Sequence, residues 1–154
     1  MPFRITGLPA ADFAAWFSLS DAELAERQAV RRVADAPYAF PCRISLTDAQ
    51  VGDEVLLVNH EHLAVDSPFR SRHAIYIRAG EQRFDAIDVV PDMLRRRLLS
   101  LRAFDATGML RACDVVDGAA IEALIETLLA DPETAYVHVH FARPGCYAAR
   151  IDRA

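Results

Sequence analysis

The chain has 154 residues, of which 53% are hydrophobic and 25% charged, a size and composition typical of one globular domain. Its 17 basic residues are outnumbered by 22 acidic ones, and the net charge of -5 argues against general binding to nucleic acid or to anionic lipid. We expect one cytoplasmic domain over residues 1–154 with no membrane attachment, because no export signal and no apolar run of about 18 residues occurs.

The first part of the chain is predicted to be helical. Pro9 to Asp12 is typical of a helical turn that begins at a proline. Ser20 to Glu23 forms a capping box, which predicts a helix from near Asp21 to about Val33. We therefore expect an N-terminal helical segment over residues 1–36, anchored in the core by its aromatic residues Phe13, Trp16 and Phe17.

From residue 41 the sequence changes to short β-branched or alternating segments that are typical of strands. Strands are predicted over residues 42–46, 54–59, 73–78 and 83–89, followed by a helical turn at 91–94. Asp105 to Gly108 then indicates a tight turn between two strands, over 98–104 and 109–116, and this is the clearest hairpin signal of the chain.

The strongest helix signal follows Asp117. An amphipathic helix over about 118–130 is predicted by apolar residues at helical spacing, namely Ile121, Leu124, Ile125, Leu128 and Leu129. Strands over 136–141 and 147–151 complete the chain. The predicted fold class is α+β: the N-terminal helix, then over 41–154 a mainly antiparallel sheet of about six to eight strands with the amphipathic helix packed on it.

Residue usage narrows the chemistry. No lysine occurs, which excludes Schiff-base chemistry, lysyl-nucleotide intermediates and a phosphate-binding lysine loop. The three cysteines, Cys42, Cys113 and Cys146, are odd in number and far apart, which is typical of free thiols in a reducing compartment. The six glycines are isolated and form no nucleotide-binding loop, and no G-x-S-x-G motif of serine hydrolases is present.

Five segments carry a family resemblance: Pro41 to Leu46, Gly52 to His62, Ser67 to Arg70, Leu98 to Met109 and Tyr136 to Arg150. Taken together they resemble a bacterial family of proteins of unknown function, DUF1203. The resemblance covers most of the chain and lies in the joint order of the segments, since none of them is a catalytic signature. It implies no established activity, so no functional residue is carried over from it.

Four of the five histidines form two His-x-His units, His60-Glu61-His62 and His138-Val139-His140. Residues i and i+2 of a strand share a face, so His138 and His140 are expected to project together, opposite to an apolar face that enters the core. If the two units lie on neighbouring strands, four imidazoles converge in a way that suits a divalent transition metal. The alternative is that these are plain surface histidines.

Cys146 is the candidate nucleophile, because it follows a glycine-containing turn directly after the second His-x-His strand. Hairpin geometry is expected to bring its thiol close to His140, with Arg150 on the same strand face to bind an anion. The alternative is a buried thiol that only packs.

Several arginines lie in or beside predicted strands, namely Arg43, Arg70, Arg72, Arg102 and Arg150. Converging strand arginines bind carboxylates or phosphates through paired hydrogen bonds. Pairing with acidic residues of the protein itself is the favoured alternative, because these outnumber the basic ones. The run from Arg95 to Arg97 is interpreted as solvated.

Three functions stay open at this level, and the sequence does not decide whether the protein is an enzyme. The leading hypothesis is binding of a small anionic or metal-linked ligand in a pocket lined by His60, His62, His138, His140, Arg43, Arg70 and Arg150. The second is a non-enzymatic interaction module, including a homodimer that uses a polar sheet face or the Trp16–Phe17 region. The third is an enzyme with Cys146 as its nucleophile and His140 as its base.

Overall fold

Eleven strands in two mainly antiparallel sheets form the framework of the chain, which a computed structural model describes over residues 1–154. The strands are β1 (Phe3–Thr6), β2 (Ala29–Val33), β3 (Pro41–Cys42), β4 (Thr47–Asp48), β5 (Glu54–Leu63), β6 (Ser71–Ile77), β7 (Asp85–Ile87), β8 (Leu98–Phe104), β9 (Leu110–Asp117), β10 (Tyr136–Phe141) and β11 (Tyr147–Arg153). The six-stranded sheet has the order β7-β1-β11-β10-β8-β9, and the five-stranded sheet has the order β2-β5-β6-β3-β4.

Helices are few and short. They are α1 (Asp21–Glu26), α2 (Asp92–Arg95) and α3 (Ile121–Ala130), with 3-10 turns at Ala10–Asp12, Ala14–Ser18 and Gly118–Ala120. Not one of them has both the length and the apolar content that crossing a bilayer requires. The strands therefore dominate the architecture.

The α+β fold class predicted from the sequence is confirmed, although the strands number eleven and lie in two sheets rather than one. The hairpin predicted around Asp105 to Gly108 is formed by β8 and β9. The predicted amphipathic helix is α3. A 3-10 turn precedes it, and Asp117 caps that turn because its side chain accepts a hydrogen bond from Ala119 N.

The larger core lies between α3 and one face of the six-stranded sheet. From α3 it receives the buried residues at helical spacing, namely Ile121, Ile125, Leu128 and Leu129. From β10 it receives the alternate residues Val137, Val139 and Phe141. The residues between them, His138 and His140, must then point to the opposite face of the sheet, as period-two geometry predicted.

A smaller core joins the N-terminal segment to one face of the five-stranded sheet. Phe13 and Leu24 are buried there against apolar residues of that region, namely Ala29, Ile44, Leu56, Val58, Ile75 and Ile77. Trp16 and Phe17 pack against this cluster while partly buried. The aromatic residues of the N-terminal segment therefore anchor it, as predicted.

The prediction of a helix from Asp21 to Val33 is wrong beyond Glu26. The capping box is present, but Gln28 has a left-handed backbone with φ of 58°, which ends the helical conformation. Ala29–Val33 then forms β2 and pairs with β5. Pairing with a long strand outweighs the local helical signal, and the strand β1 was likewise not predicted.

The strand predicted over residues 42–46 is also wrong. Only Pro41–Cys42 is extended there, and the chain then turns until Thr47, with Leu46 in the left-handed region at φ of 52°. The predicted strand over 83–89 shrinks to Asp85–Ile87. The turn between Cys42 and Thr47 carries the Arg43 side chain into the interior.

Candidate functional site

Three histidines come together between the two sheets. His138 and His140 of β10 face His62 at the end of β5. The ring centres of His62 and His140 are 5.0 Å apart, those of His62 and His138 are 6.3 Å apart, and those of His138 and His140 are 6.4 Å apart. Tyr147 of β11 stacks on the His62 ring with 5.4 Å between centres and so holds it in place.

The histidines of β10 are buried rather than solvated. His138 is 4% exposed and His140 is 1% exposed, because the end of β5 and the connection to β6 cover them. The sequence left open whether this face meets a second layer, a cleft or water. A second layer of the fold covers it, and the interpretation as plain surface histidines is wrong for this pair.

Hydrogen bonding within the cluster is incomplete. The Nδ1 atom of His140 lies 2.9 Å from the Gly145 carbonyl oxygen, so Nδ1 carries the proton and the opposite ring nitrogen is left as an acceptor. The Nδ1 atoms of His62 and His138 are buried and have no hydrogen-bond partner. Leaving a buried polar group unpaired costs about 1–3 kcal/mol, so these atoms lower the stability of the free protein.

The three imidazoles are neutral at physiological pH. Burial lowers the pKa of His62 to about 4, and that of His138 and of His140 to about 3. The positive charge of Arg102 lowers all three pKa values further. The rings therefore act as neutral donors and acceptors until a bound anion favours their protonation.

A cavity of about 190 Å³ adjoins this cluster, and we call it the histidine cavity. Its walls are formed by His62, Leu63, Phe69, Ser71, Arg102, Phe104, Leu110, Cys113, His138 and His140. Arg102 is its one permanently charged residue, and it pairs with no carboxylate; its one side-chain hydrogen bond is to Ser100 Oγ at 3.4 Å. No acidic side chain lines this cavity.

The connection between β5 and β6 covers one side of the histidine cavity. Ser67 Oγ donates to the Gly108 carbonyl oxygen at 2.8 Å, and the Phe69 ring lies 6.2 Å from that of Phe104. Gly108 has φ of 84°, and an added Cβ would lie 2.5 Å from a methyl carbon of Val65. The close approach of this connection to the β8–β9 turn therefore depends on glycine at position 108.

The metal site predicted from four histidines is not assembled. Imidazoles bound to one tetrahedral zinc at about 2.0–2.1 Å have ring centres about 5 Å apart, and only the His62–His140 pair matches this spacing. No group of three or more histidine, cysteine, aspartate or glutamate side chains is placed to hold a metal ion. His60 lies apart from the other three and contacts the Phe13 ring at 5.4 Å.

His60 and His62 are separated by a β-bulge. The register of β5 against β6 shifts between His60 and Leu63, so one extra residue lies on β5. This residue breaks the period-two alternation, and the two histidines of the unit reach different neighbours. The strand extends past the predicted end at Asn59 to Leu63, which was the condition for a shared face, but the bulge prevents His60 and His62 from sharing one.

The Cys146 side chain does not face His140, contrary to the hairpin prediction. Phe141 N donates to the Cys146 carbonyl oxygen, which places Cys146 opposite Phe141, and its thiol lies in the larger core. A second bulge follows, because His140 pairs with Tyr147 whereas Val139 pairs with Ala149. The extra residue reverses the alternation, so Arg150 shares a face with His138 and not with Cys146.

The thiol of Cys146 has a cationic partner instead. Arg43 Nη2 donates to Cys146 Sγ at 3.0 Å, Arg43 Nε donates to the Tyr147 carbonyl oxygen at 2.8 Å, and Nη1 donates to the Pro41 carbonyl oxygen. Arg43 is only 2% exposed and forms no ion pair with a carboxylate. Burial lowers its pKa, but a guanidinium stays protonated at neutral pH.

Arg43 and Cys146 line a second cavity of about 420 Å³, which we call the arginine cavity. Its walls are formed by Tyr38, Ala39, Pro41, Arg43, Leu57, His73, Ala74, Tyr76, Arg97, Leu98, Phe141, Arg143, Pro144 and Cys146. Because Phe141 and His140 point to opposite faces of β10, the two cavities flank the same hairpin on different sides.

Comparison with known proteins identifies the family. The family described as "Protein of unknown function (DUF1203)" matches residues 39–153. The chain belongs to the DUF1203 family. No curated protein and no solved structure matches it. The resemblance noted from the sequence is confirmed, and the match includes every residue of both cavities except Tyr38.

Two other arginines of the predicted site are engaged by carboxylates in this DUF1203 protein. Arg70 pairs with Glu61 at 2.9 Å and with Asp66 at 3.4 Å. Arg150 pairs with Asp152 at 2.7 Å. Neither lines a cavity described above, so the predicted single pocket of histidines and arginines is divided into two, with Arg70 and Arg150 outside both.

Sequence reasoning missed residues whose signals were weak. The run from Arg95 to Arg97 was interpreted as solvated, yet Arg95 pairs with Glu122 and Arg97 pairs with Asp48 at 2.6 Å. Arg97 also lines the arginine cavity, as do Arg143 and His73, which had no motif to mark them. Tyr147 follows Cys146 directly and pairs with His140, so the register at the β10–β11 turn places it beside the histidines.

Proposed function

We propose that the protein binds a small oxyanion, such as sulfate, phosphate or the carboxylate of a short organic acid, in the histidine cavity. One observation carries this proposal: buried Nδ1 atoms of His62 and His138 lack hydrogen-bond partners. The two residues line a cavity that contains the unpaired guanidinium of Arg102 and no acidic side chain. An oxyanion supplies the acceptors that these groups lack.

The size and charge of the cavity support an anion of few atoms. About 190 Å³ lies below the roughly 300–1,000 Å³ of sites for drug-sized ligands. Arg102 provides a fixed positive charge, and each buried imidazole becomes a second cation when an adjacent anion raises its pKa. Binding of an oxyanion is therefore expected to take up protons.

The metal-linked version of the leading hypothesis has less support. Neutral imidazoles are metal ligands, but two of the three ring separations exceed 6 Å. The charge of Arg102 also repels a cation. Uptake of one equivalent of zinc that is lost in His138→Leu, together with no sulfate binding, would favour the metal instead.

The two hypotheses from other classes stay predictions. A homodimer is tested by light scattering at several protein concentrations. A cysteine enzyme gains support from the contact between Cys146 and Arg43 at 3.0 Å, but His140 does not serve as its base because it lies on the other face of β10. It predicts that Cys146 reacts with iodoacetamide faster than exposed Cys113.

Sulfate is the probe of choice, because it does not titrate near neutral pH and isolates the protonation of the protein. Isothermal titration calorimetry at pH 8 and pH 6 is expected to show one saturable site with several-fold higher affinity at pH 6. Titrations in two buffers of different ionisation heat measure the proton uptake. Acetate and phosphate, titrated in parallel, distinguish a carboxylate ligand from an inorganic one.

Matched variants define the site. His138→Leu and Arg102→Gln are expected to weaken sulfate binding at least about tenfold, since each removes a hydrogen-bond donor to the anion. His60→Leu and Arg150→Gln are their controls, because His60 contacts Phe13 and Arg150 pairs with Asp152. Equal loss in a variant and its control, or no saturable binding at either pH, would contradict the proposal.

A further inference from the structure

The arginine cavity has a volume and lining that differ from those of the histidine cavity. About 420 Å³ falls within the roughly 300–1,000 Å³ of small-molecule sites. It lies where the β10–β11 turn and the start of β8 meet the five-stranded sheet. Its site is independent of the oxyanion site proposed above, because no residue lines both cavities.

Arg43 is the central polar group of this cavity. A guanidinium has five N–H donors, and three hydrogen bonds account for three of those on Arg43. Two N–H donors are therefore left on a side chain that is 2% exposed and lines the cavity. A buried charge without a carboxylate partner is costly, and an anionic ligand in the cavity offsets that cost.

The remaining charges of the cavity favour an anion as well. Arg143 is exposed at the β10–β11 turn and has no acidic partner. Arg97 pairs with Asp48 at 2.6 Å, which offsets its charge, and no acidic side chain lines the cavity. Arg43 and Arg143 therefore give the cavity a net positive charge at neutral pH.

Apart from His73, the rest of the lining is mainly apolar. Leu57 and Tyr76 face the cavity from the five-stranded sheet, and Phe141 and Pro144 face it from the hairpin. The guanidinium carbons of Arg43 and Arg97 lie 4.9 Å and 5.0 Å from the centre of the Phe141 ring. These cation–π contacts fix the two side chains and leave an apolar wall beside a positive charge.

We propose that the arginine cavity binds an organic acid with an apolar body. The carboxylate or equivalent anionic group binds to Arg43 and Arg143, and the body packs against Leu57, Tyr76 and Phe141. The positive charge favours anions over neutral molecules, and the apolar wall favours organic acids over small inorganic ions. Small inorganic ions are instead the proposed ligands of the histidine cavity. The thiol of Cys146, which contacts Arg43, is covered when the ligand is bound.

A matched ligand series tests this inference with the intact protein. Octanoate has the proposed anionic group and body, octanol lacks the charge, and acetate lacks the body. Calorimetry at pH 7.5 is expected to show saturable binding of octanoate and at least about tenfold weaker binding of octanol. Acetate is titrated into His138→Leu, in which it cannot bind at the histidine cavity, and should also be at least about tenfold weaker. Octanol binding as tightly as octanoate would overturn the role of charge, and absence of octanoate binding would overturn the proposal.

Two variants locate the site. Arg143→Gln alters an exposed side chain that forms no hydrogen bond or ion pair, so it tests the charge without threatening the fold, and it is expected to lower the affinity for octanoate several-fold. Arg70→Gln is the matched control, since Arg70 lies outside both cavities. Octanoate affinity unchanged in Arg143→Gln would place the ligand elsewhere.

Cys146 supplies a second readout. In a Cys113→Ser background, alkylation of Cys146 by iodoacetamide is expected to slow several-fold with saturating octanoate, because the thiol lines the cavity. Unchanged labelling despite saturable binding would overturn the location. His138→Leu, which is designed to abolish sulfate binding, should leave octanoate binding intact, so the two proposals succeed or fail separately.

Discussion

The histidine cavity and the arginine cavity lie on opposite faces of the hairpin formed by β10 and β11. In the first, burial lowers the pKa values of His138 and His140 to about 3, so the rings are neutral and two of the cluster's Nδ1 atoms lack partners. In the second, equally deep burial leaves Arg43 charged and hydrogen-bonded. Burial therefore neutralises a titratable base but not a guanidinium.

The two groups consequently differ in what their removal does to folding. Arg43 connects three separate backbone or side-chain acceptors and is needed by the fold. The histidines cost stability in the free protein, because their buried nitrogen atoms are unpaired. Residues that lower the stability of the ligand-free protein are typical of a binding site.

Arg43→Ala tests the structural side of this comparison and should have the largest effect. The change leaves the carbonyl oxygens of Pro41 and Tyr147 without their donor and creates a cavity. The free energy of unfolding is expected to fall by about 3–5 kcal/mol in urea titrations at pH 7.5. Arg143→Ala is the control and should change it by less than about 0.5 kcal/mol.

Acid should destabilise the protein through the histidines. The unfolded chain binds protons at His138 and His140 near the ordinary pKa of about 6.5, whereas the folded protein does so only near pH 3. Stability is therefore full above pH 6.5 and falls as the pH drops towards 3. At pH 5 each histidine costs about 2 kcal/mol relative to pH 7.5.

Urea titrations at pH 7.5 and pH 5 measure this loss of stability. In His138→Leu the loss should be smaller by the contribution of one histidine, about 2 kcal/mol. Sulfate at pH 5 should recover part of the lost stability in the wild type and none in His138→Leu. An equal pH dependence in the two proteins would show that the buried histidine does not contribute.

Gly108→Ala tests how the histidine cavity is closed. Alanine at φ of 84° is strained, and its Cβ meets Val65, so the free energy of unfolding should fall by about 1–3 kcal/mol. The β5–β6 connection is displaced, and proteolysis within residues 64–70 should accelerate. Gly80→Ala has a similar φ of 77° with open space around it and separates backbone strain from the clash.

His138→Leu should slightly stabilise the ligand-free protein, whereas the changes above destabilise it. Leucine removes a buried Nδ1 atom that has no partner, so the free energy of unfolding at pH 7.5 should rise by about 1 kcal/mol or less. His60→Leu lacks this gain, because no polar atom of His60 is buried without a partner. Marked destabilisation by His138→Leu would mean that its nitrogen is bonded.

Arg70→Gln should have the smallest effect. Its ion pairs with Glu61 and Asp66 are exposed, and such pairs contribute about 0–1 kcal/mol. The free energy of unfolding should change by less than about 0.5 kcal/mol, and neither sulfate nor octanoate binding should change. A large loss of sulfate affinity would show that Arg70 takes part in sulfate binding.

The sequence by itself determined the fold class, α3 and the extended β10 with its alternating faces. These follow from local periodicity, since Ile121, Ile125 and Leu128 lie on one side of a helix and Val137 and Val139 on one side of a strand. The same periodicity indicated that His138 and His140 act together. It also indicated that they oppose the core.

Tertiary structure alone decided which side chains join them. One bulge in β5 separates His60 from His62, and one in β11, after Tyr147, turns Arg150 to the face opposite Cys146. A single extra residue reverses every later side chain of a strand, and its position is set by the partner strand rather than by the strand's own residues. The burial of Arg43 likewise depends on a turn whose partners, Tyr147 and Cys146, lie more than 100 residues away in the sequence.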